Sequence, residues 1–439
     1  GGWLVMLSLR FPPEAAIWGA QPARFAFRLA PMSSPAPAIT PRMWAIVAAT
    51  ASVMTIAMGL RSGFGLFVKP ISAELGVGRE LFTFAVGLQN LLWGAMSPFF
   101  GALADRFGAA RTGVAGTLLY AVGLWVLSTT AGPFEVVLGN VLIGAALAAG
   151  GQGTLIGAVG RMVPAERRSL ALGILMAGGS VGQFTMVPYT QALIDGLAWK
   201  GAFVAMAATA LAMLPLLWLL RDVPVAAQPA GSGAGQTLRE ALSEAFRHRG
   251  FWLLTAGFFV CGFHVVFVAT HLPAFLGDQG LPAELAAWTL ALTGLFNIIG
   301  SYAAGVLGGR YVKKNLLALL YLARAAVFLA FIVAPKNEFT VLAFGASLGL
   351  LWLSTVPLTS GLVATLFGPA YMSMLYGFVF FSHQLGSFLG SWLGGRIYDM
   401  VGNYDAMWWL SVALGVASAL LHWPIREQPV RRLAPAGAA

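Results

Sequence analysis

Gly101-Ala-Leu-Ala-Asp-Arg-Phe-Gly-Ala-Ala-Arg111 is a short stretch of glycine and charge set between apolar runs near 81–104 and 112–130. Glycine permits backbone turns that other residues resist, and Asp105 can pair with a cation or cap a helix N-terminus. A weaker copy, Gly305-Val-Leu-Gly-Gly-Arg310, lies 204 residues further along. Gly182 and Asp195 return at the same offset as Gly386 and Asp399. Matches at one offset, all at loops or helix-packing glycines, mark an internal duplication.

The apolar runs set the architecture. They fall near 44–68, 81–104, 112–130, 134–160, 170–194 and 200–220, then near 251–276, 285–308, 316–334, 339–367, 372–395 and 406–424. A bilayer core of about 30 Å is crossed by roughly 20 apolar residues in a helix, so each run is long enough to span. The expected fold is an all-α membrane protein of twelve transmembrane helices arranged as two pseudo-symmetric six-helix bundles. The bundles are expected at 43–221 and 251–424, with a disordered tail at 1–42, a cytoplasmic linker at 222–250 and a cytoplasmic tail at 425–439. The linker holds the glycine- and serine-rich run Gly231–Gly235 and a stretch, Leu238–Phe246, suited to a short surface helix. The chain opens on Gly1, which puts Met32 or Met43 nearer the expected natural start. Gly178 and Gly182, like Gly386, Gly390 and Gly394, are spaced four apart, which brings helix backbones close together in lipid.

Composition excludes water-soluble classes. The chain is 58% hydrophobic and 10% charged, whereas a soluble domain needs roughly 25% charged residues to cover its surface. The net charge of +10 reports topology. With the N-terminus cytoplasmic, inside segments hold 19 of the 26 Lys and Arg and outside loops hold five; Arg61 and Arg324 lie within spans. That asymmetry is the positive-inside pattern, so no nucleic-acid partner is expected. It predicts a multi-pass protein of a bacterial cytoplasmic membrane, monomeric, with both termini inside. Cys261 is the single cysteine, so no disulfide framework exists. No metal-ligand spacing, phosphate-cradling loop or nucleophile–His–acid grouping appears, so neither an enzyme nor a cofactor is expected.

The Gly101–Arg111 stretch resembles the signature loop of the major facilitator superfamily, with Gly, Asp, Arg, Gly and Arg at matching places. Gly59-Leu-Arg-Ser-Gly-Phe-Gly-Leu-Phe-Val-Lys-Pro-Ile71 and Arg167-Arg-Ser-Leu-Ala-Leu-Gly-Ile174 are similar to the monocarboxylate and oxalate/formate carrier branch. The resemblance implies secondary transport of small organic anions by alternating access, often with a proton. It also implies a cytoplasmic gate at Gly101, Asp105, Arg106, Gly108 and Arg111, with Arg310 in the second copy. That branch places a basic residue in its eighth helix, where this chain has Asn297 and Ser301. The departure keeps two further readings open, a carrier of neutral or amphipathic solutes and a transport-dead sensor.

An ionisable group inside a span is costly and functional by default. All sixteen acidic residues fall in loops, tails or span ends, so no mid-membrane carboxylate relay exists. Arg61 stands close to where carboxylate carriers place a reactive lysine and can fix an anion by paired hydrogen bonds; snorkelling to the outer interface is its other reading. Arg324, central in the ninth span, is expected to pair with a helix end or a carbonyl. His264 and His271 share one face of the seventh span, and His383 and Gln384 lie in the eleventh. In the family these spans line the cavity, and an imidazole there could couple a proton to solute movement. Gln152, Asn297 and Gln89 are neutral groups that could orient a solute or bridge helices. The candidate pathway is thus Arg61, Gln152, His264, His271, Asn297, His383 and Gln384.

Overall fold

A computed structural model describes residues 40–221, 237–368, 371–430 and 433. Of the tail expected over 1–42, residues 1–39 lie outside the described residues, as do most of the linker and most of the C-terminal tail, whereas Pro41 and Arg42 belong to the first helix and are not disordered. Within them the chain is helical throughout. Thr40 caps the first helix by accepting from the Met43 amide at 3.3 Å, and Pro41 occupies the first turn, where its missing N–H costs nothing.

In chain order the helices are α1 (Pro41–Ser62) and α2 (Val68–Leu75), joined by a tight turn at Phe64–Phe67; α3 (Arg79–Phe107); α4 (Ala109–Ser128); α5 (Pro133–Gly150) and α6 (Gln152–Met162); α7 (Ala165–Leu211) and α8 (Met213–Trp218). The second half follows with α9 (Leu238–Arg247), α10 (Arg249–Asp278), α11 (Ala283–Gly308), α12 (Lys313–Val333), α13 (Glu338–Leu351), α14 (Thr355–Phe367), α15 (Met372–Val401) and α16 (Asp405–His422). By length and composition, nine helical stretches among the described residues can cross a bilayer. One of them, Leu170–Trp218, folds back at Ala198, whose φ of 54° lies in the left-handed region, and so holds two crossings. Helices α3 and α15 are of crossing length and carry the polar residues of the interface between halves. This grouping is consistent with twelve crossings, six per half. α9 is the surface helix expected in the linker, closed by a reciprocal cap between Thr237 and Glu240.

The duplication is visible in the packing. Gly182 of α7 presses on the Thr55 carbonyl of α1, and Gly386 of α15 presses on the Phe259 carbonyl of α10. One turn away, a Cβ on Gly178 would stand 2.5 Å from the Ala51 carbonyl. At the equivalent place in the second half, Ser382 Oγ donates to the Thr255 carbonyl at 2.7 Å. Each member of these contacts lies 204 residues from its counterpart in the other half, the offset found in the sequence. Lipid gives helices no hydrophobic reason to associate, so this close backbone approach supplies dispersion contact instead.

One local expectation needs correcting. Gly101 does not turn the chain, because α3 continues through it to Phe107. Gly108 alone makes the turn into α4, with φ of 94°. Ala102, Ala104 and Phe107 leave nothing to stop the helix earlier, and Gly108 is the first residue free to adopt positive φ.

The halves meet along two seams, α3 against α15 and α7 against α11. Among the described residues four crossings are interrupted: the first at Phe64–Phe67, the fourth at Gly151, the sixth at Ala212 and the tenth at Trp352–Ser354. Such breaks free backbone groups at membrane depth, which is tolerated where they are buried in protein or line a cavity.

Candidate functional site

At about 1.5 Å per residue, Arg61 lies roughly 30 Å of helix from Pro41 and 20 Å from Leu75, well inside the first crossing. It is partly exposed. Its guanidinium donates to Asn90 Oδ1 of α3 and lies over the Trp93 ring, 5.2 Å from the centroid. Across the seam, Gln384 Nε2 donates to the Asn90 carbonyl at 3.1 Å, and Gln384 Oε1 lies 3.0 Å from His383 Nδ1. A polar chain, Arg61–Asn90–Gln384–His383, therefore runs from one half to the other at mid-depth. Among the described residues the cation donates to a neutral amide alone, and Arg61 Nε has no partner. A cation in that position is uncompensated and favours an anion beside it.

The second seam carries another polar crossing. Asn297 Nδ2 donates to Ser180 Oγ of the opposite half at 2.8 Å, and Gln183 Nε2 donates to the Leu290 carbonyl at 3.0 Å. Asn297 Oδ1 also accepts from the Leu353 amide at 2.9 Å, which satisfies backbone freed by the break between α13 and α14. Arg324 serves the same break, donating to the Leu351 carbonyl at 2.6 Å and to that of Trp352. The guanidinium sits on the negative end of α13, the helix-end and carbonyl pairing expected of Arg324.

One end of the molecule is latched. Asp399 of α15 accepts from the backbone amides of Arg79 and Glu80 at 2.9 and 2.7 Å, closing the N-terminus of α3 from the other half. Arg79 grips both oxygens of Asp278 at 2.6 and 2.7 Å and donates to Tyr404 Oη at 2.9 Å. Lys69 adds a bond to Asp278 at 3.1 Å, and Glu80 accepts from Trp392 and Arg396. The two halves are thus tied by a carboxylate at a helix N-terminus and by bidentate pairing, the stronger forms of charged contact. The ion pairs found at the opposite end stay within one half, Asp105 with Arg161 at 2.9 Å and Lys313 with Glu427 at 3.0 Å.

The sequence candidates divide accordingly. Arg61, His383 and Gln384 come together in the mid-depth chain, and Asn297 sits on the second seam. Gln152 opens α6 at the break of the fourth crossing, with Nε2 3.2 Å from Met176 Sδ. His264 is buried in the C-terminal half, with Nε2 2.9 Å from the Ser411 carbonyl and its ring against Phe328. His271 lies 2.7 Å from the Ser391 carbonyl and 3.4 Å from Tyr404 Oη, directly behind the latch. Neither histidine joins Arg61. Asp105, Arg106 and Arg111 are exposed around the Gly108 turn, and Arg310 is exposed beyond α11.

Asn90 and the latch residues Arg79, Asp278 and Asp399 are the parts that sequence reasoning missed. Gln89 stood out instead, yet its backbone packs on Gly144 of α5 and its side chain has no partner among the described residues. Gly87 and Gly94 both abut α15, at Phe388 and Gln384. Their seven-residue spacing marks the face that Asn90 shares, and that was the available signal.

Comparison with known proteins agrees with the fold. The family model for the Major Facilitator Superfamily matches residues 50–391. Monocarboxylate transporter 13 of Bos taurus is 26% identical over 373 residues, which cover 83% of this chain and 84% of that one. An uncharacterized MFS-type transporter of Bacillus subtilis, YcxA, is 25% identical over 388 residues, covering 83% and 91%. Among solved structures, a bacterial homolog of the human lysosomal transporter Spinster, inward-facing and unoccupied, superposes with a TM-score of 0.70 at 15% identity over 87% of this chain and 95% of that one.

Proposed function

The chain belongs to the Major Facilitator Superfamily, and from that membership we propose that it moves small organic anions of the monocarboxylate kind across a membrane by alternating access. The single observation that carries this reading is Arg61, a cation at mid-depth between the halves whose recorded hydrogen-bond partner is neutral. Names among its relatives point the same way, since several are monocarboxylate transporters.

In this reading the bundles are 43–221 and 251–424, joined by a cytoplasmic linker at 222–250, in a bacterial cytoplasmic membrane with both termini inside. The latched end then faces outward, and the end bearing Asp105 and Arg310 faces the cytoplasm. A carboxylate entering from the cytoplasmic side takes up bonds to Arg61. Its charge compensates the guanidinium, so Asn90 and Gln384 no longer bear the cost of an unpaired cation. That binding energy shifts the balance between the latched form and one in which Arg79, Asp278 and Asp399 have parted, because a ligand moves such an equilibrium by its differential affinity for the two states. His383, joined to Arg61 through Gln384 and Asn90, is the group through which a proton accompanies the anion.

Asn297 favours a second reading. It replaces the basic residue of related carriers with a neutral amide already bonded to Ser180 and Leu353, which suits a neutral or amphipathic solute. Uptake of labelled lactate or pyruvate into proteoliposomes, with and without an imposed pH gradient, separates the two. Acid-dependent flux is expected; its absence for every monocarboxylate tried would leave the second reading standing.

A further inference from the structure

Beside Arg61 runs a row of rings that anion binding alone does not require. Trp93 lies under the guanidinium at 5.2 Å. Its ring meets Phe380 of the opposite half edge-on, with centroids 5.8 Å apart and an interplanar angle of 79°. Phe380 lies parallel to His383 at 5.7 Å and 9°, and 6.4 Å from Tyr376. Because α3 and α15 run antiparallel, Trp93 and Phe380 each sit three residues further from the latch than Asn90 and His383. The rings therefore line the approach to Arg61 from the unlatched end.

These rings differ from the aromatic core of the C-terminal half. There Phe331, Phe344 and Trp408 are buried against one another. Trp93, Tyr376 and Phe380 keep partly exposed faces, and so does the cation next to them. Carboxylate oxygens bonded to a guanidinium stand about 2.7–2.9 Å from its nitrogens. A ring one or two atoms beyond that carboxylate comes within the roughly 4.5–7 Å centroid distance at which aromatic pairs attract. A three-carbon acid carries no ring to meet Trp93 and Phe380.

We infer that the preferred cargo is an aromatic carboxylate, held by Arg61 at its acid group and by Trp93 and Phe380 at its ring. This inference rests on the anion reading above and narrows its substrate class. Ring contacts of the cargo with Trp93 and Phe380 are absent for an aliphatic acid, so the preference for a ring-bearing acid is roughly tenfold or more.

The test is uptake by wild-type proteoliposomes of labelled benzoate, phenylacetate and indole-3-acetate against acetate, lactate and pyruvate, scored as kcat/KM. The expected result is at least a tenfold preference for the ring-bearing acids. Trp93→Ala should bring that ratio towards one and Trp93→Phe should keep most of it, with membrane insertion and elution on gel filtration checked for both. Flux of aliphatic acids with none of aromatic acids, or a ratio untouched by Trp93→Ala, overturns this inference and leaves the anion reading intact. Flux of neither class overturns both.

Discussion

At Arg61 the chain keeps a guanidinium among helices whose other members are almost all apolar, with an asparagine for company. A buried charge normally finds an opposite charge or several carbonyls. Arg324 does find carbonyls, at the end of α13, and that is why its role reads as structural. Arg61 does not, and the difference between the two arginines carries the functional reading. Charged hydrogen bonds are worth about 1.5–3 kcal/mol, so Arg61→Gln should weaken carboxylate binding roughly ten- to a hundredfold, measured by titration calorimetry on protein in nanodiscs. Arg61→Lys should recover part of the loss, because it restores charge without the two-pronged geometry. Unchanged affinity in Arg61→Gln would place the anion elsewhere. Arg61 was legible from sequence because an arginine inside an apolar run is conspicuous. Asn90 was not, since Gln89 and Asn90 are adjacent and only tertiary contact decides which of them faces α15.

Among the helices, the contacts that matter most are the small residues buried against backbone. Gly386 stacks on the Phe259 carbonyl and Gly390 on the Phe263 carbonyl, where any Cβ would collide with main chain that cannot swing aside. Gly386→Val should therefore force α15 away from α10 and destabilise by more than the roughly 1–3 kcal/mol typical of overpacking, seen as a lower melting temperature and lost monodispersity. Gly101→Ala is the matching control, because a Cβ there meets open space. An unchanged melting temperature in Gly386→Val would mean the contact between α15 and α10 is looser than described. The helices themselves were legible, since apolar length and glycine spacing determine where a chain can cross and which faces approach. Breaks at Gly151 and at Trp352–Ser354 were not, because the groups that satisfy the freed backbone, such as Asn297 with the Leu353 amide, come from other crossings. The signature turn moved for a similar reason: helix propensity carries α3 past Gly101, and only Gly108 takes a positive φ.

For the molecule as a whole, the duplication is kept in the helix packing and broken in charge. Asp399 closes the N-terminus of α3, whereas its counterpart Asp195 accepts from Gln191 on its own helix at 2.7 Å. α11 starts at Pro282 with no side-chain cap. The repeat made Asp195 and Asp399 look alike in sequence; their partners separate them. One seam is thus latched by charge and the other by neutral bonds, and the charged one should govern opening. Asp278→Asn removes the partner of both Arg79 and Lys69, so it should shift the balance several-fold towards the form open at this end. Spin labels at Val77 and Gly402 report this as a growing long-distance population, and an unchanged distribution would show that the latch does not hold the halves. The account as a whole depends on an organic acid crossing between those halves. Counterflow in proteoliposomes loaded with unlabelled carboxylate tests that most directly: wild-type protein should give a transient overshoot of labelled acid that Arg61→Gln abolishes, and no overshoot with any monocarboxylate would contradict it.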